Sequence, residues 1–147
     1  MKTDKAWERF GQKDPYFGVL ADPKYHQNKL DDAARTEFFL SGKNHIQYIM
    51  NEVNSGLGKE FNPSTGLDFG CGVGRVLIPM SEFLTEAVGF DISIGMLEEA
   101  QDNCLEHNRT NVTLLTSDKA PQLNRKFDFI HSYIVFRHIP PARGNPI

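Results

Sequence analysis

The residues best suited to chemistry lie in one segment, GLDFGCGVGRVLIPM, where an acid and spaced glycines separate a predicted strand from a predicted helix. Glycine weakens the interior of strands and helices, so its repetition here needs a reason. We expect a ligand to approach the backbone closely at Gly70, Gly72 and Gly74. The acid, Asp68, would repel a phosphate but could hold an ammonium group, directly or through water.

Two further acids stand at the ends of later predicted strands. Asp91 ends EAVGFD, and Asp118 ends NVTLLTSD. Ligands of open parallel sheets bind at the carboxyl ends of the strands, and an acid about 20 residues after a glycine loop is placed to bind two ribose hydroxyls. We assign that role to Asp91. Asp118 could accept a hydrogen bond from the amine of adenine, and Ile92 would offer an apolar face to the base. Together they predict an adenosine site.

The glycine spacing distinguishes two classes of adenosine cofactor. A dinucleotide loop reads G-x-G-x-x-G, and its third glycine lets the helix pack closely on the strand. Here the pattern is Gly70-x-Gly72-x-Gly74, and Arg75 stands where that third glycine belongs. An adenosine compound with an amino-acid tail and no phosphate fits better, which predicts S-adenosylmethionine. A nicotinamide-dependent oxidoreductase is the second enzyme class.

The elements that must position these residues read as alternating strands and helices. From Gly66 onward the order is strand, helix, strand, helix, strand, strand, which predicts a Rossmann-like α/β fold with a parallel sheet. Pro79 should kink the first of these helices or end it early. Ser93 is the predicted N-cap of the second helix.

The N-terminal region reads as helical. A short helix over LDDAARTEFFLSG is expected to stop at Gly42, and Gly56 and Gly58 are expected to close a following amphipathic helix. We therefore divide the chain into a helical cap or lid, residues 1–60, and a cofactor-binding α/β domain, residues 61–147. Packing is the commoner role for the aromatic residues of the cap, although they could also cover the site. These residues are Tyr16, Phe17, Tyr25, Phe38 and Phe39.

Three segments resemble motifs of class I S-adenosylmethionine-dependent methyltransferases. LDFGCGVGR resembles the first motif, VGFDISIGMLEEA the second strand with its following helix, and FDFIHSYIVFRHIPP the fourth-strand motif. The resemblance implies that Asp68 and the three loop glycines surround the methionine part of the cofactor. It also implies that Asp91 binds the ribose and that Asp118 lies near the adenine amine.

The resemblance further implies that Ser132 and Tyr133 lie near the reactive methyl. Methyl transfer requires mainly alignment of the reactants and exclusion of water, and a general base only when the acceptor is protonated. His131, Tyr133 and His138 are the candidate bases, although His138 is better explained by a hydrogen bond to a backbone carbonyl that fixes its loop. The catalytic residue itself stays unassigned.

Two other loop residues have simpler interpretations. Cys71 is included among the cofactor-binding residues as a small apolar side chain. Arg75 is expected at the surface or behind the site.

Composition and charge disfavour several functions. The 147 residues, 39% of them hydrophobic, suit one globular domain. A net charge of −3 without a basic cluster argues against nucleic acid. No apolar run is long enough for a membrane span, and the N-terminus lacks the apolar core of a secretory signal. Cys71 and Cys104 have neither metal-ligand nor disulfide spacing, so we expect no metal site, reduced thiols and a cytoplasmic protein.

The chain departs from the resembling family at its C-terminal side. The family fold has seven strands, whereas the predicted strands here end with the fourth. We therefore expect a truncated chain, or a second chain that completes the sheet. A homodimer would cover the open edge of the fourth strand. A small-molecule acceptor is favoured over a protein acceptor, and a non-catalytic module that binds the cofactor is the alternative to an enzyme.

Overall fold

Four parallel strands form the sheet that carries the predicted site. The computed structural model describes residues 2–139. Its strands are β1 (Thr65–Phe69), β2 (Glu86–Asp91), β3 (Val112–Thr116) and β4 (Phe129–His131), in the spatial order β3-β2-β1-β4. All neighbouring strands are parallel. The predicted Rossmann-like α/β arrangement is confirmed, and the strand order reverses between β1 and β4.

The register of the sheet decides which side chains meet. Asp68 on β1 is paired with His131 on β4 and with Gly89 on β2. Phe69 is paired with Phe90, so β1 and β2 end at nearly the same level. The sequence motifs that follow these strands are therefore brought to one edge of the sheet.

Within residues 2–139, five α-helices flank the sheet or precede it. They are α1 (Lys2–Lys13), α2 (Pro15–Val19), α3 (Asp32–Leu57), α4 (Leu77–Met80) and α5 (Ile94–Glu106). Helix α5 begins after Ser93, whose hydroxyl accepts a hydrogen bond from the Met96 amide at 3.1 Å, as predicted. Helix α4 ends one residue after Pro79, which confirms the predicted early end. Short 3₁₀ helices span Pro23–Tyr25, Ser117–Gln122 and Val135–His138.

Helix α3 is continuous, and the predicted stop at Gly42 is wrong. A Cβ atom at Gly42 would overlap the carbonyl oxygen of Arg75, so the glycine allows the helix to lie directly against the loop that follows β1. Gly56 is also inside the helix. The helix ends instead at Gly58, whose φ of +63° is the left-handed cap conformation that glycine adopts without strain.

The N-terminal region is packed onto the α/β part through buried aromatic side chains. Tyr16, Tyr25, Phe38 and Phe39 are buried in one apolar cluster, which confirms the packing interpretation for these four. The Tyr16 hydroxyl also contacts α5, with oxygen–oxygen distances of 2.7 Å to Glu99 and 2.8 Å to Asn103. No helix within residues 2–139 combines the length and apolar character needed to cross a membrane.

Candidate active site

A cleft of about 780 Å³ lies at the carboxyl ends of the strands. It occupies the point where the strand order reverses, which is where ligands bind in open α/β sheets, and its volume suits a small molecule. Nine of the twelve residues considered for the site line this cleft. They are Asp68, Gly70, Cys71, Gly72, Asp91, Ile92, His131, Tyr133 and His138.

The other three predicted residues do not line the cleft. Gly74 lies at the far end of the loop, and a Cβ atom there would be 3.1 Å from Ile78. Asp118 belongs to the 3₁₀ helix after β3, and its neighbour Ser117 lines the cleft instead. Ser132 donates a hydrogen bond to the carbonyl of Phe69 at 3.0 Å. Ser132 therefore ties the end of β4 to β1, and the ligand contacts of these residues stay predictions.

The glycines of the loop have a structural role within the protein itself. Gly70, Gly72 and Gly74 have φ values of +80°, +54° and +89°, which side chains rarely adopt. A Cβ atom would overlap Val135 at Gly70 and would lie 2.7 Å from Val19 at Gly72. Protein side chains thus approach the backbone closely at Gly70 and Gly72, and the ligand contacts expected at this loop stay a prediction.

The glycine loop is held onto β2 by hydrogen bonds. The amides of Gly70 and Cys71 both donate to the carbonyl of Phe90, at 2.7 and 2.9 Å. The Cys71 side chain is buried, and burial raises the pKa of its thiol well above the usual value. A neutral, buried thiol agrees with the small apolar role predicted for it.

Asp91 lies between the glycine loop and the start of α5. One carboxylate oxygen accepts from the Gly72 amide at 2.9 Å, and the other from the Ser93 amide at 2.9 Å. Burial raises the pKa of Asp91, and these amides oppose that shift. A carboxylate has about four acceptor positions, so this group can still accept hydrogen bonds from ligand hydroxyls.

A chain of three polar side chains leads from the other side of the cleft to α3. Asp68 and Nδ1 of His131 are 2.7 Å apart, and both side chains are about 95% buried, with 4% and 5% exposed. The Nε2 atoms of His131 and His45 are 3.1 Å apart. The Asp68 carboxylate accepts from Nδ1–H, which orients the His131 ring with Nε2 toward His45. One carboxylate oxygen of Asp68 is therefore engaged by protein.

His45 on α3 does not line the cleft but contacts two residues that do, His131 and Tyr133, and the sequence analysis did not single it out. Its ring also lies against Tyr133, with a centroid distance of 4.7 Å. The sequence does contain a signal for it: Gly42, His45 and Ile49 lie at positions i, i+3 and i+7 of one helix face. Burial lowers the pKa of His45, as do the charges at His131 and Arg75, whereas Asp68 opposes them.

The lowered pKa of His45 predicts a loss of stability in mild acid. In the unfolded chain the pKa of His45 is about 6.5, and in the folded chain it is lower. Just below that pH, the unfolded chain therefore binds more protons at His45 than the folded chain does. Stability should therefore fall as the pH falls through this window. We expect the Tm of the wild type to drop more between about pH 7.5 and about pH 5.5 than that of His45→Gln, measured by differential scanning fluorimetry. Equal drops would contradict the assignment.

Helix α1 forms a wall of the cleft that the sequence did not reveal. Trp7 lines the cleft, and its ring meets that of His138 edge-on, with a centroid distance of 5.0 Å. His138 thus packs on Trp7, and within residues 2–139 its ring makes no hydrogen bond to a backbone carbonyl. The ring of Phe136 stacks on that of Phe69, with a centroid distance of 6.0 Å. No spacing pattern marks Trp7, because its role depends on where α1 docks.

Arg75 also differs from expectation. Its side chain is buried, with 6% of the residue exposed, and it lines the cleft, so the predicted surface position is wrong. Nη1 donates to the Ser41 hydroxyl at 3.3 Å, and the guanidinium lies 5.5 Å from the Tyr133 ring centroid. The backbone carbonyl of Arg75 lies against Gly42, which holds Arg75 between α3 and the glycine loop.

Comparison with known proteins identifies the family. A family model for a methyltransferase domain matches residues 42–145. The chain belongs to this methyltransferase family. It is similar to aklanonic acid methyltransferase DauC of Streptomyces sp. (strain C5), with 34% identity over 90 residues, covering 56% of this chain and 41% of that protein. The chain therefore spans less than half the length of this curated relative.

Solved methyltransferase structures share the fold. Magnesium protoporphyrin IX methyltransferase from Synechocystis PCC 6803, with bound S-adenosylhomocysteine, matches with a TM-score of 0.61 and 22% identity, over 94% of this chain and 61% of that one. Phosphoethanolamine N-methyltransferase 1 of Haemonchus contortus, in complex with phosphoethanolamine and S-adenosylhomocysteine, matches with a TM-score of 0.68 and 13% identity, over 95% and 26%. These matches confirm the predicted methyltransferase-type Rossmann-like fold.

Proposed function

We propose that this chain binds S-adenosylmethionine in the cleft and supports transfer of its methyl group to a small-molecule acceptor. The observation that carries the proposal is the position of Asp91. Its carboxylate ends β2 beside the glycine loop and keeps acceptor capacity toward the cleft. Such a group suits the two hydroxyls of a ribose.

The rest of the cleft suits the same ligand. Ile92 and Met96 offer apolar contacts on the side of Asp91, where we place the adenine, with Asp118 as a further predicted contact. Asp68 and the glycine loop are proposed to hold the methionine part. Asp68 beside the loop disfavours a pyrophosphate, which counts against the nicotinamide alternative, as do the glycine spacing and Arg75.

The proposed chemistry requires the protein mainly to align the reactants and to exclude water from the site. S-adenosylmethionine supplies an electrophilic methyl group on a sulfonium. The wall formed by α1 and the contact of Trp7 with His138 would limit the access of water. Where the acceptor must lose a proton, His131 and Tyr133 are the candidate bases. His131 is oriented by Asp68, whereas Tyr133 is 46% exposed and more accessible.

The acceptor class follows from the relatives. The names of three related methyltransferases specify aklanonic acid, magnesium protoporphyrin IX and phosphoethanolamine, all small molecules. A small-molecule acceptor is therefore favoured over a protein.

We retain residues 1–60 as a cap over a binding domain of residues 61–147, because α1 lines the cleft. The cytoplasmic location and a homodimer at the β4 edge stay predictions.

The first experiment measures ligand choice. We expect isothermal titration calorimetry to show binding of S-adenosylmethionine and S-adenosylhomocysteine and no binding of NAD, because the carboxylate of Asp68 beside the loop would repel a pyrophosphate. Binding of NAD alone would contradict the proposal. A chain that binds S-adenosylmethionine but releases no S-adenosylhomocysteine with a broad panel of small acceptors would instead be a binding module. The short coverage of the curated relative is the observation that keeps this second function open.

A further inference from the structure

Arg75 carries a buried positive charge that no carboxylate within residues 2–139 neutralises at ion-pair distance. Within the described chain, its partners are the neutral Ser41 hydroxyl and the face of Tyr133. Asp68 contributes a favourable charge at longer range, but its carboxylate is hydrogen-bonded to His131. Burying a charge costs stability unless it is paired, so this arrangement is incomplete as it stands.

Arg75 has donors that make no hydrogen bond within the described residues. A guanidinium has five N–H donors, and only Nη1 makes a hydrogen bond within the described residues. Among those residues, no fully buried side-chain nitrogen or oxygen lacks a partner, so the remaining donors are not sealed in the interior. They belong to a side chain that lines the cleft.

The position of Arg75 separates it from the proposed ribose contact. Asp91 ends β2, whereas Tyr133, on which the guanidinium lies, follows β4 on the other side of β1. Asp68 and His131 also lie on this side. The cleft thus has a hydrogen-bond acceptor, Asp91, at its β2 end. At its β4 end it has a buried, positively charged hydrogen-bond donor, Arg75.

We propose that Arg75 binds a ligand carboxylate at the β4 end of the cleft. The inference rests on the proposed function and deepens it. The planar guanidinium pairs with a carboxylate through two parallel hydrogen bonds, and such a pair would offset the burial of both charges. Asp68 and Asp91 face the same cleft, so a singly charged group is favoured over a phosphate. The carboxylate belongs either to the methionine part of S-adenosylmethionine or to an acidic acceptor.

The test compares Arg75→Met with wild type on matched ligands. Calorimetry with S-adenosylmethionine and its decarboxylated analogue addresses the cofactor. Loss of about tenfold or more in affinity for the first ligand, with the second unchanged, assigns the carboxylate to the cofactor. Calorimetry with benzoate and benzamide, on protein saturated with S-adenosylhomocysteine, addresses the acceptor. Benzoate binding that is lost in the variant, with benzamide binding unaffected, assigns the carboxylate to the acceptor.

Two further variants control the comparison. Lys59→Met removes an exposed charge at the end of α3 and should leave every titration unchanged. Arg75→Lys keeps the charge but lacks the planar pair of donors, so its affinity for the carboxylate should lie between those of wild type and Arg75→Met. If no carboxylate ligand distinguishes Arg75→Met from wild type, in either arm, the inference is overturned.

Stability separates a binding role from a structural one. We expect the ligand-free Tm of Arg75→Met to be at least that of the wild type, because the variant removes an unneutralised buried charge. A lower Tm, together with equally weakened binding of S-adenosylmethionine and its decarboxylated analogue, would mean that Arg75 only supports the fold. If the wild type binds neither adenosine ligand, the proposed function fails, which is a different outcome from an Arg75 variant that binds normally.

Discussion

Replacing Asp91 by alanine is expected to weaken S-adenosylhomocysteine binding by about 1–3 kcal/mol, the scale of unpaired polar groups. The variant removes the acceptor proposed for the ribose hydroxyls. It also frees the amides of Gly72 and Ser93, which shape the loop and the start of α5. Isothermal titration calorimetry on wild type and variant measures the difference directly.

Two related variants sharpen this result. Asp91→Asn keeps the shape and one acceptor oxygen, so its affinity should lie between those of wild type and Asp91→Ala. Asp118→Ala tests the predicted adenine contact, and we expect a smaller loss because Ser117 rather than Asp118 lines the cleft. An unchanged affinity of Asp91→Ala, with Tm preserved, would place the ligand elsewhere.

Replacing Gly42 by alanine is expected to lower the free energy of unfolding by about 2–3 kcal/mol, the upper range for overpacking. Alanine normally stabilises a helix interior by about 1 kcal/mol relative to glycine. Here its Cβ atom would overlap the Arg75 carbonyl oxygen and lie 3.1 Å from the Arg75 Cγ. Backbone atoms cannot rotate away, so α3 would have to move off the loop.

The matched control for Gly42→Ala is Gly56→Ala in the same helix. No atom lies within 4 Å of a Cβ at Gly56, so the variant should raise the free energy of unfolding by about 0.5–1 kcal/mol. Urea denaturation with comparable m-values measures both changes. If both substitutions stabilise the protein, α3 does not pack on the loop as described.

Local signals account for the elements that were predicted well. The apolar segment EAVGFD is β2 from first residue to last, and Ser93 caps α5. Each signal depends on neighbours in the chain: strand propensity, a side-chain oxygen reaching an amide three residues later, or a proline that ends a helix. The alternation of these elements then implies a parallel sheet and a common edge for Asp68, Asp91 and Asp118.

The same reasoning fails where a residue responds to a distant partner. Gly42 has the composition of a helix stop, yet it is a contact point for the Arg75 carbonyl. Arg75 reads as a residue at the surface or behind the site, yet α3 and Tyr133 enclose it beside the cleft. In both cases the residue type permits two roles, and the docking of α3 selects one.

The sequence by itself determined which residues could do chemistry and which edge of the sheet would present them, since strand ends and loop spacings are local properties. Only the tertiary structure decided that Asp68 is hydrogen-bonded to His131, that His45 extends this pair and that α1 walls the cleft. Asp68 and His131 are 63 residues apart. The register of β1 with β4 brings them together, and register is a property of packed strands that neither segment specifies alone.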